Sequence, residues 1–237
     1  MVSAGAIESP QQRFTSGPML RDRQLRSLVE RNLRAFSAHS HSVDRQHAAA
    51  VAVAITDTGH GADLSGLATH GTWRTEAALI LTRRSERLRH HAGQWALPGG
   101  RIDAGETADE AAVRELAEEV SLQLEASAVL GRLDDIVTRS GFVITPVVVW
   151  AGSARHMTPN PDEVQSIHRI PVGEFMRPDA PMLERIDDSE HPVLRMPVGD
   201  SWIAAPTAAI LYQFREVCIS GRDTRVAHFE HPAFAWK

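Results

Sequence analysis

Apolar residues recur along the chain with the periods of helices and strands, and this pattern predicts the order of its elements. From 19 to 36, apolar residues return every three or four positions, which predicts an amphipathic helix. Residues 48–56 are an uninterrupted run of small apolar side chains, as expected for a buried strand. The Gly-, Thr- and Asp-rich stretch 57–73 predicts an exposed loop, and 77–81 a second strand.

The second half of the chain continues this alternation. Strands are predicted at 128–133 and at 142–150, the latter dense in Val and Ile. Residues 164–175 predict a strand that enters a short helix, 193–198 another strand, and 202–219 a turn followed by a helix. Because strands alternate with helices, we predict one α/β domain.

The stretch 97–122 combines a Pro-Gly-Gly turn with an acidic amphipathic helix. Thr107 and Glu110 have the spacing of a capping box, which predicts that the helix begins there. Three glutamates fall within roughly 100° of one another on the helix, opposite an apolar face that is expected to dock on the core. The glutamates are Glu115, Glu118 and Glu119, and the apolar face is Val113, Leu116, Ala117 and Val120. Because crowded carboxylates repel one another unless a cation neutralises them, this face predicts a site for Mg²⁺ or Mn²⁺.

Composition and charge narrow the class of protein. The 237 residues are 43% apolar and 23% charged, which is typical of a soluble globular chain. A formal net charge of −5 argues against a protein that coats nucleic acid. The chain contains no apolar run of about 18 residues, so no membrane span is predicted. A single cysteine, Cys218, and an N-terminus unlike a signal peptide predict a cytoplasmic location.

Fixed spacings within 97–122 resemble the signature of a known enzyme family. Gly100, Glu106 and the run Arg114-Glu115-Leu116-Ala117-Glu118-Glu119 are spaced like the Nudix box. The resemblance implies a Nudix hydrolase, which cleaves the diphosphate of a nucleoside diphosphate linked to another group, and an α/β/α sandwich around a mixed sheet. Ser121 departs from the family, which has Gly there. Gly suits a left-handed helix end, and Ser would adopt that conformation at a cost of about 1 kcal/mol.

The resemblance also implies roles for individual residues. The candidate metal ligands are Glu115, Glu118, Glu119, Gly99 and Glu106. Arg114 is expected to orient a box glutamate, and the Gly99–Gly100 backbone to approach the metal and substrate closely. The hydrolase domain is expected to span 46–237, including a C-terminal helix and tail. A poorly ordered N-terminus, 1–18, and a helix with its linker, 19–45, are expected to precede it.

A second segment, 80–100, resembles the signature of the coenzyme A pyrophosphatase branch. The matching positions are Leu81-Thr82, Arg84-Ser85, Arg89, Gly93 and Pro98-Gly99-Gly100, whereas Ile80 and Leu97 depart but stay apolar. The implied substrate is coenzyme A or its thioesters, and the implied products are 3′,5′-ADP and 4′-phosphopantetheine or its acyl form. The implied substrate-binding residues are Arg84, Ser85, Arg89, Gly99 and Gly100. The alternatives are another Nudix substrate, such as ADP-ribose, NADH or a dinucleotide, and a non-catalytic nucleotide sensor.

Three further features have more than one interpretation. The run PNPDEV also resembles this branch and makes Glu163 a candidate metal ligand or water-activating base, or else an exposed loop acid. His39, His41 and His47 lie close together, but no second ligand set accompanies them, so zinc is not favoured. The aromatic tail 225–237 is expected to pack on the domain or on a second subunit as a homodimer.

Overall fold

The computed structural model describes residues 18–42, 47–88, 91–138, 140–185 and 191–229. The helices are α1 (Arg23–Ala35), α2 (Ala108–Val120), α3 (Val172–Phe175) and α4 (Thr207–Phe214), which continues as a π-helical turn over Arg215–Ile219. The strands are β1 (Ala48–Gly61), β2 (Thr69–Arg84), β3 (Trp95–Ala96), β4 (Gly99–Arg101), β5 (Val129–Arg132), β6 (Ile136–Val137), β7 (Val143–Gly152), β8 (Val164–Pro171), β9 (Met182–Glu184), β10 (Val193–Val198) and β11 (Ser201–Ala204). Within these described ranges, no helix is both long and apolar enough to cross a bilayer.

The main sheet is mixed, and its strands β1 and β2 separate toward the start of β1. β1 pairs with β7 in parallel and with β2 in antiparallel orientation, and β8 pairs with the far side of β2. Toward the start of β1, the short strands β3 and β4 lie between β2 and β1: β3 pairs with β2, and β4 pairs with β1. The Pro-Gly-Gly turn is therefore held beside the central strand, where it meets α2.

Helices cover both faces of this sheet. Alternate residues of β1 point to opposite sides, so Val53 and Ile55 join the core beneath α1 and α4. Ala52 and Ala54 join the core beneath α2, where small side chains let the helix lie close to the sheet. The predicted α/β/α sandwich around a mixed sheet is confirmed. A second sheet of three strands, β9, β10 and β11, packs its inner face on the α4 side.

The first part of the chain differs from its prediction in one region. Residues 57–73, predicted as a loop, instead extend β1 to Gly61 and begin β2 at Thr69. Gly59 and Gly61 have φ of 64° and 106°, and the strand register shifts at both. A bulged hairpin accommodates such glycines, which is why a Gly-rich stretch still forms strand.

The C-terminal region needs a second correction. Trp202, predicted to lie in a turn before a helix, lies in β11, and α4 begins only at Thr207. The predicted apolar stripe of this helix is buried: Ala209, Ile210, Phe214 and Val217. Phe229 packs its ring on Tyr212, with centroids 6.0 Å apart, and the predicted contacts of Phe234 and Trp236 lie outside the described residues.

Candidate active site

The carboxylate face of α2 is turned inward. The capping box forms as predicted, because the Glu110 amide donates to Thr107 Oγ1 at 3.3 Å and the Thr107 amide donates to Glu110 Oε2 at 2.8 Å. Glu115 and Glu119 are only 7% and 4% exposed. We expected the apolar face alone to dock. The helix instead also buries its Glu115 and Glu119 side, and amides of the segment after β7 donate to the carbonyls of its last two residues. Of the predicted apolar face, Leu116 and Val120 are buried, whereas Val113 and Ala117 are only half-buried.

A third carboxylate meets these two. Glu163, from the segment that connects β7 to β8, contributes an oxygen to a group with Glu115 and Glu119. One carboxylate oxygen from each residue lies within 4.8 Å of the others. The structure thus brings together residues that are far apart in the sequence: Glu163 is an exposed loop acid, and it lies beside the box.

The charges in this group are unfavourable without a cation. Burial, and then the neighbouring Glu115 and Glu163 carboxylates, together raise the pKa of Glu119 to about 8, against the opposing effect of Arg84. Burial is also the main cause of the raised pKa of Glu115. Three converging carboxylates are a hard, anionic oxygen donor set. Such a donor set fits Mg²⁺ or Mn²⁺.

Arg114 fixes the outer side of the group. Its guanidinium donates to Glu106 at 2.9 and 3.1 Å, to Glu115 at 2.9 Å, to Glu118 at 3.0 Å and to the Arg101 carbonyl at 2.9 Å. Glu106 and then Glu115 raise the pKa of Arg114, and the hydrogen bond from Arg114 lowers the pKa of Glu106. The geometry is what the predicted orienting role requires, because Arg114 holds Glu115 without entering the cluster itself.

Two predicted metal ligands lie outside the cluster. Both carboxylate oxygens of Glu106 accept hydrogen bonds from Arg114, and one of them also accepts a hydrogen bond from the Asp103 amide at 3.0 Å. Glu106 therefore stabilises the loop before α2. The Glu118 side chain is 52% exposed and pairs with Arg114. Across the part of the chain that the structure describes, neither joins the three-carboxylate group.

At both Gly99 and Gly100 the backbone passes too close to a neighbour to leave room for a side chain, and the two neighbours differ. A Cβ on Gly100 would lie 2.2 Å from Glu115 Oε1, so only glycine leaves room for that carboxylate. A Cβ on Gly99 would lie 2.4 Å from the Ala50 carbonyl oxygen of β1. The Gly99 amide also lowers the pKa of Glu119 by hydrogen bonding. The approach predicted for the glycines is therefore to a carboxylate of the cluster and to the central strand.

Of the residues predicted to bind substrate, Arg84 and Ser85 differ in whether their side chains already have a hydrogen-bond partner. The Arg84 side chain has no hydrogen bond or carboxylate partner among the described residues, its Nε is buried, and its charge acts on Glu119. Ser85 is 4% exposed, and its hydroxyl donates to the Pro161 carbonyl at 3.2 Å. Because this buried hydroxyl is already satisfied, the predicted substrate contact of Ser85 is replaced by a contact with the chain. Arg89 lies outside the described residues.

Ser85 and Ser121 both anchor the segment that carries Glu163. The Ser85 amide donates to the Glu163 carbonyl at 2.8 Å, and the Ser121 hydroxyl donates to the Thr158 carbonyl at 3.0 Å. The Asn160 amide donates to the Glu119 carbonyl at 2.9 Å. We call residues 157–163, held in this way between β2 and α2, the anchored loop. Sequence reasoning missed these anchors, although a Ser at the Gly position was a signal of a compensating contact.

The histidines near the N-terminus take another role. The backbone amides of His39 and His41 donate to the buried carboxylates of Asp134 and Asp135, at 2.7 and 2.8 Å. In the described ranges, the group of side chains placed to hold a metal contains glutamates and no histidine. These contacts dock the linker that follows α1.

Comparison with known proteins places the site in a family. Residues 68–195, more than half of the chain, match the model described as "NUDIX domain". "Uncharacterized Nudix hydrolase NudL" of Citrobacter koseri is 41% identical over 105 residues, which are 44% of this chain and 55% of that protein. "Nudix hydrolase 3" of Caenorhabditis elegans is 38% identical over 104 residues, 42% of this chain and 43% of that protein.

A solved structure adds a weaker likeness. The MutT/nudix family protein from Enterococcus faecalis is 14% identical, with a TM-score of 0.46 over 75% of this chain and 64% of that one. The chain spans about half the length of the two sequence relatives. The family model includes α2, the Pro-Gly-Gly turn and Glu163, so it covers the whole carboxylate cluster.

Proposed function

The chain belongs to the NUDIX domain family, and from that premise we propose that it is a divalent-metal-dependent pyrophosphohydrolase of coenzyme A or its thioesters. The products would be 3′,5′-ADP and 4′-phosphopantetheine or its acyl form. One observation carries the proposal: Arg84, a cation without a carboxylate partner among the described residues, lies beside the Glu115–Glu119–Glu163 cluster. A cluster that binds a metal and an adjacent free guanidinium together suit a substrate with several phosphates.

Glu115, Glu119 and Glu163 are the residues that would hold the ion. Their donor chemistry and mutual distances fit Mg²⁺ or Mn²⁺, whose preferred ligands are carboxylate oxygens and substrate phosphates. When bound, such an ion neutralises charge on the diphosphate and lowers the pKa of an attacking water. Glu118 would become a ligand of the ion, at the exposed edge of the cluster, only if its carboxylate broke its ion pair with Arg114.

The chain's own residues divide the remaining tasks. Arg84 donates to phosphate oxygens and draws the diphosphate toward the cluster. Arg114 keeps the Glu115 carboxylate in one orientation, since the same guanidinium is fixed by Glu106. Glu119 or Glu163, through whichever carboxylate oxygen the ion leaves free, would accept the proton of the attacking water, because both carboxylates belong to the cluster that would hold the ion.

The choice of coenzyme A within the family depends on the segment 80–100, which resembles the signature of that branch. Arg84 and Ser85 stand where the coenzyme A branch has its Arg-Ser pair, and the anchored loop contains all but the final Val164 of the PNPDEV run that also resembles it. The two matching segments are in contact, because the Ser85 hydroxyl and amide both donate to carbonyls of the anchored loop. Arg84 is then the residue we assign to a substrate phosphate, such as the 3′-phosphate of coenzyme A.

The proposal is tested by incubating the protein with coenzyme A and Mg²⁺ and analysing the products by mass. We expect 3′,5′-ADP and 4′-phosphopantetheine with Mg²⁺ and neither product with excess EDTA. Glu119→Gln should lower turnover by about 100-fold or more, whereas Glu125→Gln, an exposed glutamate outside the site, should not change it.

Other outcomes would lead to a different assignment. Turnover of ADP-ribose, NADH or a dinucleotide, with coenzyme A untouched, would keep the hydrolase and move the substrate to another branch. Nucleotide binding without turnover of any of these would support the sensor alternative. That alternative is disfavoured because the chain keeps every box carboxylate.

A further inference from the structure

A serine and a histidine of β8 form a hydrogen-bonded pair on the face of the sheet opposite α2. His168 lies across the ladder from Leu81, which belongs to the core beneath α4. Because strand residues alternate, Ser166 points to that side with His168, whereas Ile167 between them packs on the core beneath α2. The Ser166–His168 pair is therefore on the other side of the sheet from the helix that carries the carboxylates.

The contacts of His168 determine which of its ring nitrogens carries the hydrogen. Its Nδ1 lies 2.7 Å from the Ala62 carbonyl oxygen, which can only accept, so Nδ1 is the donor. In the neutral ring Nε2 is then the acceptor, and the Ser166 hydroxyl, 2.7 Å away, donates to it. The basic nitrogen thus faces a serine hydroxyl while a fixed acceptor orients the ring. This is the order of contacts that activates a serine nucleophile.

The surroundings of His168 keep the ring neutral, as a general base requires. The residue is only 8% exposed, and burial is the main cause of its lowered pKa. The charge of Arg83 lowers that pKa further, against the opposing effect of the Ala62 carbonyl. The imidazole also meets the Trp95 ring edge to face, with centroids 5.0 Å apart. A packed, unprotonated imidazole is ready to accept the serine proton.

Ser166 is accessible to a small molecule, and a cation lies nearby. The residue is half-buried, and the far edge of β8 pairs with no other strand in the ranges that the structure describes. Arg83 lies directly across β2 from Ser166, on the same face of the sheet. Because its charge acts on His168, it also favours negative charge that develops beside this ring.

We propose that Ser166 is a nucleophile with His168 as its general base, in a second activity on small activated carboxylic esters. Ser166 Oγ attacks the carbonyl carbon while its proton passes to His168 Nε2, and Arg83 stabilises the oxyanion. The bond to the leaving alcohol then breaks, and His168 gives the proton to that alcohol, which leaves an acyl-serine. Water then loses a proton to His168 and attacks the acyl-serine. The carboxylic acid is released, and the proton returns to Ser166 Oγ.

Covalent labelling of the full chain in EDTA tests the nucleophile. The probe is diisopropyl fluorophosphate, whose phosphorus bonds to a reactive serine oxygen as fluoride leaves. We expect an adduct at Ser166, located by peptide mass mapping, that is absent from Ser166→Ala and forms about tenfold or more slowly in His168→Gln. Ser65→Ala is the matched control, because the Ser65 hydroxyl donates to the Asp200 carboxylate at 2.6 Å and not to an imidazole. It should be labelled at the native rate.

Hydrolysis of p-nitrophenyl acetate, also in EDTA, measures the activity itself. We expect the rate to fall by about tenfold or more in Ser166→Ala and in His168→Gln, with thermal melts confirming that both variants fold. Ser166→Cys keeps the test open if Ser166→Ala does not fold. Iodoacetamide should alkylate the introduced thiol and spare Cys218, which is fully buried. Alkylation should slow when His168→Gln is added.

Two results would overturn the proposal. One is the absence of any adduct at Ser166 in the native chain, together with a thiol at position 166 that iodoacetamide does not alkylate. The other is equal hydrolysis of p-nitrophenyl acetate by the native chain and a folded Ser166→Ala variant. Neither result bears on metal-dependent cleavage of a diphosphate, so a failure here is distinguishable from a failure of the proposed pyrophosphohydrolase activity.

Discussion

Ser121 ends α2 in the left-handed conformation, with φ 57° and ψ 30°, and its hydroxyl donates to the Thr158 carbonyl. The conformation costs a non-glycine residue about 1 kcal/mol, and a hydrogen bond returns a similar amount. The departure from Gly is thus offset by a contact that Gly cannot make. The sequence predicted the strained conformation, but it could not show the contact, because Thr158 comes much later in the chain.

Substitutions at Ser121 should separate these two terms. Ser121→Ala keeps the strained backbone and loses the hydrogen bond, so we expect the free energy of unfolding to fall by about 1–2 kcal/mol. Ser121→Gly relieves the strain while losing the same bond and should stay within about 0.5 kcal/mol of the native chain. Urea unfolding measures both. Equal destabilisation of the two variants would contradict the account.

His168 gives a pH dependence with a definite sign. It is 8% exposed, its Nδ1 lies 2.7 Å from the Ala62 carbonyl and its Nε2 lies 2.7 Å from Ser166 Oγ, an arrangement that suits the neutral ring. Burial lowers its pKa below the ordinary value near 6.5. Below that ordinary value the unfolded chain binds a proton that the folded chain resists, so stability falls as the pH drops.

We therefore expect acid to destabilise the native chain more than His168→Gln, which cannot titrate there. The difference between the two should grow between pH 7.5 and pH 5, by at most about 1.4 kcal/mol per pH unit. Thermal melts of both proteins across this range measure it. A constant difference at all pH values would show that His168 does not titrate as described.

At the level of elements, the anchored loop decides whether the cluster is complete. Ser85 at the end of β2 and Ser121 at the end of α2 hold it at two points, and the Ser85 amide donates to the carbonyl of Glu163 itself. The box itself supplies only Glu115 and Glu119. A loop fixed at both sides keeps Glu163 in place without cost at the moment when the ion binds.

Ser85→Ala should therefore weaken metal binding as well as stability. We expect a loss of about 1 kcal/mol in the free energy of unfolding and a several-fold higher Kd for Mn²⁺, because Glu163 becomes less well positioned. Ser65→Ala is the matched control, since the Ser65 hydroxyl bonds Asp200 at 2.6 Å far along the chain from the site. It should leave the Kd unchanged. An unchanged Kd in Ser85→Ala would remove the positioning role.

The elements also show what periodicity could and could not predict. Helix α2, the central strands and the C-terminal helix follow from apolar spacing, because each buries a continuous apolar face. The β1–β2 hairpin does not follow from apolar spacing, since Gly59 and Gly61 are bulge residues and a Gly-rich stretch predicts a loop. The capping box predicted where α2 begins, but not that Glu115 and Glu119 would be buried. Glu115 lies against Gly100 and the Glu119 carbonyl accepts from the anchored loop, and no local pattern reports either contact.

On the scale of the whole molecule, α1 is part of the fold although it precedes the family match. Leu25, Val29 and Leu33 are buried in the same core as α4, and the Asn32 side chain donates to the Cys218 carbonyl at 2.9 Å. The linker after α1 is held by Asp134 and Asp135. The helix thus closes one layer of the sandwich, which its Arg-rich sequence did not indicate.

Truncation of an α1 core residue should accordingly cost as much as a change in the centre of the sheet. We expect Leu33→Ala to lower the free energy of unfolding by about 3 kcal/mol, through lost burial and the cavity it leaves. Arg31→Ala, on the exposed side of the same helix, should change it by less than about 0.5 kcal/mol. Denaturant titration measures both, and similar small effects would mean that α1 is dispensable.

The late position of Glu163 in the chain has a consequence for how the protein is made. The ribosome delivers the whole Nudix box before it delivers the anchored loop, yet the loop supplies the third carboxylate and the contacts that hold it. A nascent chain ending before 158 would thus contain every residue of the box but only two carboxylates of the cluster. Tight capture of the ion is expected only after β8 has added to β2, so metal loading follows translation of this strand.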